Sequence, residues 1–156
     1  MLDIIKKHLA DFTSSNWDAY KADLDKGAVY EEQATMQRAQ GADEFVKSVQ
    51  RWKRAFPDLK ATLKEGFVSG DKVLAEVEWE GTHSGTFEGP LGTIPPTNKR
   101  GTVRAAMIYS LKNGKIVGLR HYFDLLTVLR QIGVAPMIGA PAQAAAAGPA
   151  PTPRRH

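Results

Sequence analysis

Between Ala61 and Phe123 the side chains alternate between apolar and polar, in runs covering Ala61 to Val68, Val73 to His83, Gly101 to Leu111 and Lys115 to Phe123. Before Pro57 the apolar positions recur every third or fourth residue instead. A period of two belongs to a strand with one buried face, and a period near 3.6 to an amphipathic helix. Helices followed by a meandering sheet predict an α+β domain in which an antiparallel sheet packs on helices.

Leu2, Ile5, Leu9 and Phe12 share one helical face, and Ser15 or Asn16 is placed to cap a short second helix bearing Trp17, Tyr20 and Leu24. After Gly27, Ala28 to Glu32 reads as a short strand with Tyr30 and Glu32 on one face. Gly41 precedes a third helix, Asp43 to Phe56, which aligns Phe45, Val49, Trp52 and Phe56 and stops at Pro57-Asp58. Turns fall at Ser69-Gly70-Asp71 and at Asn113-Gly114, the latter the dipeptide that a type I′ hairpin demands. A last helix, Leu125 to Ile132, ends at Gly133.

With 156 residues and 42% hydrophobic composition, the chain can close one core and one pocket. It has no cysteine, which excludes disulfides, a thiolate nucleophile and cysteine-ligated metals. The start, Met1-Leu2-Asp3-Ile4-Ile5-Lys6-Lys7, lacks the apolar core of a secretory signal, and no apolar run approaches the roughly 18 to 20 residues that span a bilayer. A cytoplasmic protein without membrane partner is the expectation. The net charge of +4 is dispersed among acidic residues, so nucleic acid is not the expected partner. From Met137 onward the chain is Ala, Pro and Gly apart from Met137, Ile138 and Gln143, before Thr152-Pro153-Arg154-Arg155-His156, which predicts a folded domain over 1–136 and a disordered tail over 137–156.

Strand alternation picks out the candidate interior. Val73, Ala75, Val77, Trp79, Gly81 and His83 share one face; Val117, Leu119, His121 and Phe123 share another; and Val103, Ala105, Met107 and Tyr109 a third. An interior built from Trp79, His83, Met107, Tyr109 and His121 is an apolar and aromatic lining with titratable imidazoles, as pockets for apolar ligands commonly are. Gly81, Gly85, Gly89 and Gly92 neither open a helix nor end in Lys-Ser/Thr, so they make no phosphate loop and are expected to form a mobile flap at the pocket mouth. His8 and His156 lie far from the other two histidines in sequence, which offers no metal-ligand spacing.

Four segments in consistent order, between Met1 and Pro136, resemble the SnoaL-like polyketide cyclases of the NTF2-like superfamily. They are Trp52-x-x-x-Phe56-Pro57-Asp58-Leu59, Gly81-Thr82-His83-Ser84-Gly85-Thr86-Phe87, Pro95-Pro96-Thr97-Asn98-Lys99-Arg100, and Asn113-Gly114-Lys115-Ile116 leading to Asp124 and Leu129-Arg130-Gln131-Ile132-Gly133. The resemblance implies a cone in which a curved antiparallel sheet wraps N-terminal helices around a hydrophobic cavity, and a homodimer or homotetramer assembled through the sheet. It implies intramolecular aldol cyclisation of a hydrophobic polyketide-like carbonyl compound, with no metal or organic cofactor.

In that family the acid/base is an Asp on the last strand, where this chain has His121, and a cavity-facing His on the preceding strand corresponds to Met107. Asp124 and His83 match the pattern. The catalytic candidates are therefore His121, Asp124 and His83. Trp79, Met107, Tyr109, Tyr30, Glu32, Trp52 and Phe123 are the candidate substrate-binding residues. An imidazole at 121 has a reference pKa near 6.5, suited to proton transfer, though a packed core histidine has the same sequence signature. Asp124 can orient His121, cap the last helix or act as the base itself, and His83 can bond a ligand or its own loop. A binding protein without turnover, or an isomerase or epoxide hydrolase on the same fold, are the alternatives to a cyclase.

Overall fold

The computed structural model describes residues 1–89 and 92–134, so the tail expected to be disordered lies outside the described residues. The chain opens with α1 (Leu2–Thr13), which buries Ile5, Leu9 and Phe12, and with α2 (Trp17–Ala22), whose first turn is capped by the Asn16 side chain accepting the Ala19 N–H at 3.4 Å. Leu24 does not extend α2, as its spacing suggested. It begins β1 (Leu24–Glu32), where it pairs with Ile116 and is buried by the sheet.

The remaining elements are β2 (Gln37–Gln40), α3 (Ala42–Ala55), β3 (Lys60–Ser69), β4 (Lys72–Thr82), β5 (Phe87–Gly89), β6 (Gly92–Ile94), β7 (Arg100–Lys112), β8 (Lys115–Phe123) and α4 (Leu125–Gln131). Strand β2 carries no sequence signal, because Gln37-Arg38-Ala39-Gln40 has no apolar alternation; it is an edge strand held by pairing with β1. Asn113 (φ 51°) and Gly114 (φ 72°) make the β7–β8 hairpin with positive φ at both turn residues.

The six-stranded sheet has the order β2-β1-β8-β7-β4-β3. Its pairings are antiparallel, as expected, except that β1 and β8 run parallel. That pairing joins strands from opposite ends of the domain and puts Tyr30 beside Leu119 and Glu32 beside His121.

The alternation in β4 holds: Val73, Ala75 and Val77 are fully buried, while Glu76 and Glu80 on the other face meet Arg104 (2.7 Å) and Arg100 (3.0 Å). Full burial of a side chain such as valine contributes roughly 1.5–3 kcal/mol, whereas exposed ion pairs add about 0–1 kcal/mol each. The inner face therefore sets the register and the charged face follows it. Helix α1 lies on β3 and α3 on β1, which closes the concave side.

Two of the segments that carry the family resemblance lock to one another. Asp58 Oδ1 accepts the Thr82 N–H at 2.7 Å, and the Gly85 N–H donates to Ala55 O at 3.0 Å. A Cβ on Gly85 would lie 1.9 Å from the Arg54 carbonyl oxygen, so only glycine permits this approach. The end of α3 and the turn after β4 thus form a fixed seam beside the cavity.

Candidate active site

The sheet and helices enclose a cavity of about 750 Å³, measured out into the solvent at its mouth. Trp79 from β4, Met107 and Tyr109 from β7, His121 and Phe123 from β8, Tyr30 from β1 and Trp52 from α3 all line it. These expected residues are brought together because inward positions of neighbouring strands converge on the concave face, as in the direct pairing of Met107 with His121. Leu9, Phe12 and Tyr20 complete the wall from α1 and α2. They were visible in the sequence only as buried helix faces, since periodicity says which face is inside but not whether it meets a void.

Glu32 lies behind this wall and does not line the cavity, contrary to its expected role in substrate binding. It is nevertheless almost completely buried, at 1% exposure. Its carboxyl group gathers three donors: Tyr30 O–H at 2.6 Å and Trp52 Nε1–H at 2.7 Å on Oε2, and Thr35 O–H at 2.5 Å on Oε1. A group meeting only donors acts as an acceptor only, the hydrogen-bonding pattern of a carboxylate. Thr35 was not singled out from the sequence, and its position in the turn after β1 explains why.

The Tyr30 hydroxyl also lies 3.1 Å from Nδ1 of His121. A phenol has one proton, and the shorter, charge-assisted bond to Glu32 claims it. His121 therefore donates Nδ1–H to the Tyr30 oxygen, and this assignment leaves Nε2 without a proton. Nε2 is buried and has no hydrogen-bond partner. Burial holds the imidazole down at a pKa of about 4, with the charge of Glu32 opposing in part. Tyr30 is pushed well above its usual range, first by burial and then by Glu32, so it stays a phenol.

His83 is fully buried but does not line the cavity, which corrects its expected place in the interior lining. It packs on Phe56 at 5.1 Å between ring centroids, and its Nδ1 accepts the Thr97 N–H at 3.3 Å. Its backbone N–H donates to Lys99 O at 2.9 Å, while its carbonyl accepts from Thr97 and Asn98 at 3.2 and 2.8 Å. These bonds tie the Pro95 to Arg100 segment to the end of β4. A catalytic role has no geometric support there.

Asp124 also stands outside the cavity lining, and its carboxylate bonds to Thr127 instead of to His121. It is the N-cap of α4, accepting Thr127 N–H at 3.2 Å and Thr127 O–H at 2.6 Å. Those two bonds hold its carboxyl group below the usual carboxylate range. The glycine-rich stretch expected as a flap forms the β5–β6 hairpin, with Phe87 buried against Trp52 at 4.8 Å between ring centroids. Among the described residues no cluster of three or more His, Asp or Glu side chains is arranged to hold a metal ion, and no helix is long and apolar enough to cross a membrane.

Comparison with known families gives one match across most of the chain: the model described as SnoaL-like polyketide cyclase covers residues 3–132. Among solved structures, a candidate SnoaL-like polyketide cyclase from Jannaschia sp. CCS1 aligns with a TM-score of 0.76 at 20% identity, over 86% of this chain and 92% of that one. IdmH, a candidate polyketide cyclase from Streptomyces antibioticus, aligns at 0.71 and 24% identity, over 85% and 97%. A protein with a ketosteroid isomerase-like fold from Catenulispora acidiphila aligns at 0.72 and 20% identity, over 85% and 93%. At such identities the likeness establishes the fold. No curated protein matches the chain.

Proposed function

The chain belongs to the SnoaL-like polyketide cyclase family, and from that premise we propose that it is a cyclase-type enzyme in which His121 is the base. Its Nε2 removes a proton from carbon next to a carbonyl of a hydrophobic substrate. The resulting enolate carbon attacks a second carbonyl of the same molecule, and the imidazolium returns its proton to the new alkoxide. One carbon–carbon bond forms, one proton moves from carbon to oxygen, and no redox partner is required.

The observation that carries this reading is the chain from Glu32 through Tyr30 to Nδ1, which leaves an unprotonated, unpartnered Nε2 on a side chain that lines an apolar cavity. When Nε2 takes a proton, the positive charge is shared toward Tyr30 and balanced by Glu32. A base with a pKa of about 4 is weak. The matching substrate is therefore a carbon acid activated by two carbonyls, such as a β-ketoester, rather than a simple ketone.

Ethyl benzoylacetate, an aryl β-ketoester, is a suitable probe, because proton NMR in D2O below neutral pD reads exchange at its activated methylene. Wild-type protein should accelerate that exchange, and His121→Ala should lose about 100-fold or more of the acceleration. Equal acceleration by His121→Ala rejects His121 as base. Saturable binding of the probe without any acceleration by the wild type favours a binding protein instead.

The resemblance also carries the expectation of assembly through the sheet. Phe67, Leu74 and Ile108 are register neighbours on the outer face, with Phe67 and Leu74 exposed, and this row supports that proposal.

A further inference from the structure

We propose that the indole N–H of Trp79 is the hydrogen-bond donor to the enolate oxygen, the partner of His121 in the reaction; this rests on His121 acting as base. Four side-chain nitrogens among the described residues are buried without a partner: His8 Nε2, Trp79 Nε1, His83 Nε2 and His121 Nε2. Of these four residues, only Trp79 and His121 line the cavity.

The two nitrogens are complementary. Indole Nε1–H can only donate, and His121 Nε2, with the proton held at Nδ1, can only accept. Each by itself is an unmet polar group in a wall of apolar and aromatic side chains. Together they fit a ligand that offers an acceptor and a transferable proton three bonds apart, which describes the oxygen and the α-proton of an enolisable carbonyl. The ring centroids of Trp79 and His121 are 6.0 Å apart, inclined at 44°, so the two side chains are neighbours in the cavity wall.

Trp79 is also held in place. Phe12 meets it edge to face, at 5.0 Å and 82°, and Lys53 Nζ lies 5.4 Å from the Phe12 ring centroid while bonding Thr13 O and Leu59 O. A donor fixed before the substrate arrives needs no reorganisation when negative charge develops on the oxygen. In the reaction the α-proton moves to His121 Nε2 and the enolate oxygen accepts from Trp79, which keeps its proton throughout.

The contact with Phe12 supplies the rival account, an N–H pointed at an aromatic face with no ligand role. The test uses Trp79→Phe, together with site-specific replacement of Trp79 by β-(3-benzothienyl)alanine, which keeps the ring shape and lacks the N–H. The probes are β-naphthol, whose oxygen stands in for an enolate oxygen, and naphthalene, which has none. Wild type should bind β-naphthol more tightly than naphthalene. Both replacements should weaken β-naphthol about 3- to 10-fold, the share of one neutral hydrogen bond, with naphthalene binding unchanged in the isosteric variant.

Exchange of ethyl benzoylacetate should fall about 10- to 100-fold in the isosteric variant. An isosteric variant that keeps the preference for β-naphthol, or keeps the wild-type exchange rate, overturns the proposal. If it loses only melting temperature, the Phe12 account stands. Should wild type itself show no exchange, the base reading of His121 fails, and the binding of the two aromatic probes still decides whether Trp79 donates.

Discussion

His83 and His121 are both buried, one just past the end of β4 and the other near the end of β8, and each has one bonded ring nitrogen and one without a partner. Their hydrogen bonds give them opposite tautomers. At His83 the Thr97 backbone N–H donates to Nδ1, so the proton sits on Nε2. At His121 the phenol of Tyr30 donates its one hydrogen bond to Glu32, so Nδ1 keeps its own proton and Nε2 is the open acceptor. Burial and an unmet nitrogen therefore do not mark a base; the group behind the ring does. Only the histidine with a phenol and a carboxylate behind it faces the cavity.

The largest expected difference between the two is in proton transfer. His121→Ala should lower probe exchange about 100-fold or more, whereas His83→Ala should leave it within about twofold. His83→Ala should instead lower unfolding free energy in urea by about 2 kcal/mol, since it removes the buried ring that packs on Phe56 and opens a void there. Equal rate losses in the two variants would erase the distinction.

Acid titration separates them next. His121 is neutral in the folded state down to about pH 4, while an unfolded imidazole titrates near 6.5. The unfolded chain thus binds more protons between those values, so this contribution is fully present above about pH 6.5 and declines as pH falls toward 4. The shift corresponds to about 3 kcal/mol. His8 and His83 are also lowered by burial, so they act with the same sign. Urea denaturation across that range should show a shallower dependence on pH in His121→Ala than in wild type; parallel curves would place His121 in an environment that does not resist charging.

Glu32→Gln sharpens the contrast with a smaller effect, because it acts on His121 through Tyr30 and has no path to His83. Glu32 opposes the lowering of the His121 pKa by burial. Without that charge the acid limb of the exchange profile should move to lower pH, and the plateau rate should fall about 10-fold as the base weakens. Tyr30→Phe should also lower the plateau, by freeing Nδ1 to exchange tautomers. An unchanged acid limb in Glu32→Gln would make Glu32 a structural acceptor for Tyr30, Thr35 and Trp52 and nothing more.

Much of this arrangement was legible in the sequence. Alternation along β4, β7 and β8 put Trp79, Met107, Tyr109 and His121 on the inner face, where they line the cavity. Asn113-Gly114 located the hairpin that sets the β7–β8 register. The parallel β1–β8 pairing was not legible, since no local pattern tells a strand which distant strand it joins, and that pairing is what sets Glu32 beside His121. His83 misled for a related reason. Its alternation was correct, but its strand ends at Thr82, and beyond that point the chain turns to meet Lys99 and Thr97 instead of the cavity.

The smallest effect tests the other apparent pair, His121 and Asp124, which are close in sequence and separated in function. The Asp124 carboxylate is exposed and bonded to Thr127, where it satisfies a free N–H at the start of α4. Asp124→Ala should therefore cost about 1 kcal/mol of stability, with probe exchange and its acid limb unchanged. Asp124→Asn should recover most of the loss, because an amide oxygen caps nearly as well as a carboxylate. A base or an orienting carboxylate would behave differently, since asparagine would keep the fold and lose the rate. If Asp124→Asn slows exchange, the carboxylate reaches the reaction after all, and the contrast between a cavity histidine and a cap three residues later is lost.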